Sequence, residues 1–189
     1  MRKAGFIVYV MAIGIVGCGR APAPAESPAV TPVYNADTGR LEEILSDRDG
    51  DGRNETRAFM DGTRLDRIEI DRNGDGVVDR WEHYAMAGEP PAAVITRAEE
   101  AGGAGPDVTR WEYYEEGHLT RVEEDTSLDG RVDKWEIYEG GRLARVDLDL
   151  AGTGRPTRRL IYAADGSVAA AEFVHDGTFE PAPPAASGR

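Results

Sequence analysis

The feature that most constrains this chain is that it repeats itself. Trp135 opens the stretch WEIYEGGRLARVD. Trp111 lies 24 residues earlier, in WEYYEEGHLTRVEE, and Trp81 lies 30 before that, in WEHY. Arg57, 24 residues before Trp81, and Arg159, 24 after Trp135, mark flanking units. The one irregular step is explained by six extra residues between Tyr84 and Ile95, in AMAGEPPAAV. Arg67, Arg97, Arg121 and Arg145 each stand 14 residues before the next marker, which places the insertion inside the second hairpin. Leu41–Ile44 reads as the second half of an earlier unit. A period of this length means a small supersecondary unit stacked on copies of itself, because one unit alone cannot bury its apolar face.

Each unit has a polar Asp/Gly loop, a short strand, a Gly turn and a return strand. In Trp135–Glu139 and Arg142–Asp147 apolar and polar residues alternate at period two, which predicts strands. Gly140-Gly141 suits a two-residue turn needing positive φ, and Gly117 and Gly62 hold the same place. Such a turn sets Tyr138 opposite Leu143, Glu136 opposite Arg145 and Trp135 opposite Val146. In the third unit it sets Tyr114 opposite Leu119, Glu112 opposite Arg121 and Trp111 opposite Val122. One face then carries Trp135, Ile137, Ala144 and Val146. The expected fold is all-β: an antiparallel β-hairpin repeat array, a curled or twisted meander of about ten strands. Its apolar face must be covered, by curling, by folding on itself or by a second copy, with a two-sheet sandwich as the alternative. The flanking segments are too short, and alternate too regularly, for helices.

Three of the loops carry chemistry. The first offers Asp47, Asp49, Asp51, Gly52, the carbonyl of Arg53, and Glu55. The second, with the fullest pattern, offers Asp71, Asn73, Asp75, Gly76, the carbonyl of Val77, and Asp79, and reaches Glu82. The third offers Asp125, Ser127, Asp129, Gly130, the carbonyl of Arg131, and Asp133, with Leu128 inside the wrap. Oxygens at alternate positions converge when such a loop wraps a hard cation, which takes six to eight oxygen ligands when it is calcium. The competing reading is that Asp-Gly runs are simply turns. Three in register, beside two that have lost most of their acids (Ala101–Thr109, and Asp149–Thr157, which keeps one), favour binding of Ca2+.

These loops resemble the calcium loop of EF-hands, and equally those of dockerins and thrombospondin type 3 repeats. The resemblance covers nine to twelve residues per loop and implies ligand roles, not a fold. An EF-hand also needs an acid at position 12. Ala58 stands there in the first loop; Glu82 and Glu136 stand there in the second and third. Glu112 occupies the same place beside a loop without ligands, and its simplest partner is Arg121. Glu82 and Glu136 therefore either coordinate the ion or pair with Arg97 and Arg145. The hairpin pattern W-E-x-Y-x-x-G-x-L weakly resembles MORN-type repeats.

The N-terminus reads as an export signal over residues 1–17. Met1-Arg2-Lys3 is a short positive region, and Ala4–Gly14 is an apolar run too short for a comfortable span. Ile15-Val16-Gly17-Cys18 resembles the bacterial lipobox, in which the cysteine is lipidated and becomes the first mature residue. The alternative is an uncleaved anchor helix. Cys18 is the single cysteine, so no internal disulfide forms. Gly19, in place of Asp, favours the outer membrane over the inner by the same resemblance. Residues 18–32 read as a Pro/Ala-rich tether, 33–179 as the repeat domain and 180–189 as a disordered tail.

A net charge of −13 excludes nucleic-acid binding through a phosphate-neutralising surface and favours cations. His83, His118 and His175 share no metal-ligand spacing, and there is no nucleophile motif or phosphate loop. His83 stands where other units carry Phe59, Tyr113 and Ile137, which marks it as a substitution on the core face. The expected protein is not an enzyme but a membrane-anchored, calcium-binding module of the cell envelope. Its partner, protein or glycan, is left open. A metal-free scaffold or immunity-type protein is the alternative, and a carboxylate-based hydrolase is the least favoured.

Overall fold

The computed structural model of the chain describes residues 29–102, 105, 107–175 and 177–181. The leader, Cys18 and most of the expected tether and tail lie outside the described residues. Thirteen strands form one sheet: β1 (Ala29–Tyr34), β2 (Leu41–Asp47), β3 (Thr56–Asp61), β4 (Arg64–Ile70), β5 (Arg80–Ala87), β6 (Ala92–Ala101), β7 (Val108–Glu115), β8 (His118–Glu124), β9 (Lys134–Glu139), β10 (Arg142–Leu148), β11 (Arg158–Tyr162), β12 (Val168–His175) and β13 (Thr178–Pro181). Spatial order equals chain order, every pairing is antiparallel, and the sheet is not closed into a barrel. No helix occurs among the described residues. The expected hairpin meander is therefore what forms. Its two end hairpins reach slightly further than expected, since β1 begins at Ala29 and β13 ends at Pro181.

No second layer packs on the sheet among the described residues. Strands meet their neighbours in the sheet and little else. The sandwich alternative and a sheet folded on itself are thus not what the chain adopts. Among the described residues only Ala98, Val122 and Val146 are buried apolar ones.

The cross-strand pairs show why. Near the turns they fall as expected: Tyr138 opposes Leu143 and Tyr114 opposes Leu119. Beyond that each return strand carries one extra residue, a β-bulge at Glu42, Asp66, Thr96, Thr120, Ala144 or Ala169. A one-residue slip moves every later side chain to the opposite face. Glu136 therefore opposes Val146, not Arg145, and Trp135 opposes Asp147, not Val146. Likewise Glu112 opposes Val122, and Trp111 opposes Glu123. The hydroxyls of Thr96 and Thr120 donate to the carbonyls of His83 and Tyr113 across the bulge, each at 3.2 Å.

The two faces consequently differ from the expected ones. One, the charged face, carries Ala98, Val122 and Val146 between the strand residues Glu82, Glu112 and Glu136. Arg80 of β5 reaches Glu112 of β7 at 2.8 Å, across the strand that carries Ala98, and the core is made within one layer. The other, the tryptophan face, carries Trp81, Trp111 and Trp135 in one row, separated by Glu99 and Glu123 and flanked by Glu69 and Asp147. Its next row alternates Phe59, His83, Tyr113 and Ile137 with Arg67, Arg97, Arg121 and Arg145. His83 thus holds the place of Phe59, Tyr113 and Ile137, as the repeat predicts, but this is not the expected core face: the buried Ala98, Val122 and Val146 lie on the other side of the sheet.

Because the sheet is a meander of hairpins, all Asp-Gly loops fall on one edge and the tight turns on the other. Neighbouring loops are two strands apart, about 9.5 Å. They are also bonded: the Asp71 amide donates to the Glu55 carbonyl at 2.7 Å, and the Asp149 amide to the Asp133 carbonyl at 2.8 Å.

Candidate metal centre

Each loop is wound by its own side chains. The first carboxylate gathers amides from across the wrap. Asp47 accepts from the amides of Gly50 (2.6 Å) and Gly52 (3.0 Å), and Asp71 from Gly74 and Gly76 (both 2.7 Å). Asp125 accepts from Asp129 (3.3 Å) and Gly130 (2.7 Å). The ninth position closes the loop. Glu55 accepts from the Arg48 amide at 2.6 Å, Asp79 from Arg72 at 2.8 Å, and Asp133 from Thr126 at 3.1 Å and Ser127 at 2.9 Å. Asp51, Asp75 and Asp129 each accept from the amide two residues on, of Arg53, Val77 and Arg131. The wrap requires the left-handed region at its fourth and sixth positions. Gly50 and Gly52 have φ of 80° and 90°, but Leu128 sits at φ 60° without a glycine's freedom.

The loops differ in what they bring together. In the first, one carboxylate oxygen from each of Asp47, Asp49, Asp51 and Glu55 lies within 4.8 Å of all the others. No other such group of three or more acids or metal-binding side chains occurs among the described residues. Asp71, Asp75 and Asp79, and Asp125, Asp129 and Asp133, are wound by the same turns but do not converge in this way; Asn73 and Ser127 fill the third position in those loops. Asn73 instead donates to Asp75 at 3.2 Å, and Ser127 to Asp125 at 3.3 Å. The fullest sequence pattern and the tightest acidic cluster thus fall in different loops.

The four converging carboxylates fit a hard cation. Glu55 is only 4% exposed, and no Lys or Arg among the described residues forms an ion pair with any of the four. Unit charges at that separation repel by about 0.9 kcal/mol per pair even in water. A cleft of about 320 Å³ lies between this loop and the second, lined by Glu55, Asp71 and Gly76 among others.

The position-12 acids lie elsewhere. Glu82 is on the charged face of β5, with one oxygen on Arg80 Nε (2.8 Å) and the other on the Tyr84 hydroxyl (2.7 Å). Glu136 is held in the same way by Lys134 Nζ (2.7 Å) and the Tyr138 hydroxyl (2.8 Å). Neither pairs with Arg97 or Arg145. Those arginines sit on the tryptophan face, against Glu99 and Asp147. Glu112 does not meet Arg121 either. It takes Arg80 (2.8 Å), Arg110 (3.1 Å) and Tyr114 (2.8 Å), while Arg121 pairs with Glu123 at 3.2 Å.

Those bonds belong to a chain of charges that the sequence reading missed. Arg80, Glu100, Arg110, Glu124 and Lys134 oppose one another in turn across five strands. Arg80 bonds Glu100 at 3.2 Å, Arg110 bonds Glu124 at 3.4 Å, and Lys134 bonds Glu124 at 3.0 Å. The signal was there as the basic residue just before each tryptophan, in RWEHY, RWEYY and KWEIY. Burial pushes the Glu112 carboxyl up, but its bonds to Arg80, Tyr114 and Arg110 outweigh that and hold it at about 2. Burial, then the bond to a carboxylate, raises the hydroxyls of Tyr84 and Tyr138 to about 12.

No protein-family model matches this chain, and no curated protein matches it in sequence.

Proposed function

We propose that this protein is a non-enzymatic module anchored to the cell envelope through a lipid on Cys18, whose loop edge takes up calcium and is stiffened by it. The observation that carries the reading is the convergence of Asp47, Asp49, Asp51 and Glu55, none of which forms an ion pair with a Lys or Arg among the described residues. The donors are all oxygen, at alternate positions of a flexible loop, which suits calcium better than the small, strictly octahedral magnesium. The Arg53 carbonyl supplies a further ligand by resemblance to known calcium loops. The loops with Asp71, Asn73, Asp75, Val77 and Asp79, and with Asp125, Ser127, Asp129, Arg131 and Asp133, serve as weaker sites of the same design. Glu82 and Glu136 are occupied on the charged face and take no part.

The lipid anchor rests on the lipobox-like Ile15-Val16-Gly17-Cys18 after a short apolar run, and the outer membrane is the favoured location. An anchored array of hairpins without a second layer gains from any ion that binds only the folded state. A site with Kd of about 0.1 mM contributes about 1.4 kcal/mol in about 1 mM calcium. The test is thermal melting of the full-length protein in EDTA, then in rising calcium, with magnesium as control. A calcium-specific rise in Tm of about 3–6 °C is expected. No rise, or an equal one with magnesium, would reduce the loops to turns on an acidic surface.

A further inference from the structure

The tryptophan face is the largest feature that the calcium reading leaves unused. Three indoles stand in one row on every second strand, at a pitch of about 9.5 Å. Trp81, Trp111 and Trp135 are each half-buried in the sheet, and no other element of the described residues packs over them. The neighbouring row adds Phe59, His83 and Tyr113.

The charges on this face pair one to one, four arginines with four acids. Each arginine of the second row forms an ion pair with the acid two residues on. Arg67 pairs with Glu69 at 2.9 Å, Arg121 with Glu123 at 3.2 Å, Arg145 with Asp147 at 3.4 Å, and Arg97 with Glu99. On a chain of net charge −13, these two rows present paired, not excess, charge. A polyanion finds no basic surplus here and meets an acidic loop edge beside it. A second copy of the chain, or an apolar protein surface, would have to desolvate the ion pairs, which the attraction between partners repays poorly. An uncharged polymer rich in hydroxyls has neither difficulty. Next to every indole it meets carboxylate acceptors and guanidinium donors already held in place.

We propose that the tryptophan face is a platform for an uncharged, extended β-1,4-linked glycan lying across the strands. The flat C–H face of a pyranose ring stacks on an indole, and its equatorial hydroxyls project sideways, toward the Arg and Glu side chains beside each tryptophan. In a β-1,4-linked chain alternate rings turn over, so the same face recurs once per disaccharide, and that repeat is close to the two-strand pitch of the tryptophans. Three tryptophans then span about six sugar units. Because the sheet is open, a long polymer passes over the row without threading. This inference does not depend on calcium.

The test is titration calorimetry and tryptophan fluorescence of the full-length protein with cellobiose, cellotetraose and cellohexaose. Chitohexaose serves as the N-acetylated form and a carboxylate-bearing cello-oligomer as the charged one. Affinity is expected to climb from two to six sugars and then level, with the charged oligomer bound more weakly. Trp111→Ala, which interrupts the middle of the row, is expected to weaken cellohexaose or chitohexaose about tenfold. Trp111→Phe is expected to keep part of the affinity, and it carries the test if the alanine variant does not fold. Preference for one hexasaccharide would name the sugar. The proposal is overturned by no binding of any neutral oligomer, by affinity that ignores chain length, by tight binding of the charged oligomer, or by a dimer in sedimentation that Trp111→Phe dissolves.

Discussion

The charged face of the sheet and the first loop both crowd carboxylates, and they resolve the crowding in opposite ways. On the sheet, Glu112 sits among two guanidinium groups and a phenol, and every acid of the row from Glu100 to Glu136 has a basic partner. In the loop, four carboxylates within 4.8 Å of one another have only backbone amides. The loop at Asp149–Thr157 shows that this crowding is not required by the turn. There Asp149 accepts from the amides of Ala151 (3.1 Å) and Gly154 (2.5 Å), and the Thr157 hydroxyl accepts from Leu150 at 3.0 Å. The wrap is thus built with one acid and a threonine. The acids at 49, 51 and 55 exceed what the wrap needs, and that surplus is what supports the proposed site over a plain turn.

The contrast is broken most severely on the sheet. Glu112→Gln leaves Arg80 and Arg110 short of their common acceptor. It is expected to destabilise the protein by about 2–3 kcal/mol in denaturant unfolding at neutral pH. The wild-type protein should show the same contact by titration. Glu112 ionises at about 2 when folded against an ordinary value of 4.5, so its stabilisation is complete above 4.5 and lost as pH falls toward 2. Tyr84 and Tyr138 stay protonated up to about 12, against 10.0, so their contribution is complete below 10 and lost as pH rises toward 12. Melting across pH in wild type and Glu112→Gln checks this: the acid limb should flatten in the variant, and the alkaline limb should not.

In the first loop the sign should depend on the ion. Asp49→Asn with Asp51→Asn is expected to raise stability by about 1 kcal/mol in EDTA, by relieving repulsion, and to abolish the gain from calcium at that loop. A double variant that melts lower in EDTA would show that the acids serve the turn. The converse graft is Ala151→Asp, Thr153→Asp and Thr157→Glu in the acid-poor loop. It should create a calcium response of about 1 kcal/mol, read as a new rise in Tm. The smallest effect is expected at Leu128, whose φ of 60° suits glycine. Leu128→Gly should stabilise by about 0.5–1 kcal/mol, with or without metal.

What the chain spells out locally was legible. The 24-residue period, the Gly turns and the Tyr–Leu pairs beside them announce a hairpin meander. The Asp-x-Asp-x-Asp-Gly pattern announces the wrapped loops, because alternate side chains and left-handed glycines are short-range properties of the backbone. The bulges were not legible. Glu42, Asp66, Thr96, Thr120, Ala144 and Ala169 share no side chain that marks a bulge, yet one extra residue per return strand decided which face Val146 and Arg145 occupy. The charge chain from Arg80 to Lys134 was hidden for the same reason, since its members lie up to 54 residues apart and meet only once the register is set. The choice of loop was also tertiary. Asp71 to Asp79 has the fuller pattern, but only the loop from Asp47 to Glu55 has a buried ninth-position carboxylate long enough to turn back among the other three. Sequence determined the repeating unit and the kind of chemistry its loops hold. The register of a sheet, which no single strand contains, decided which side chains meet.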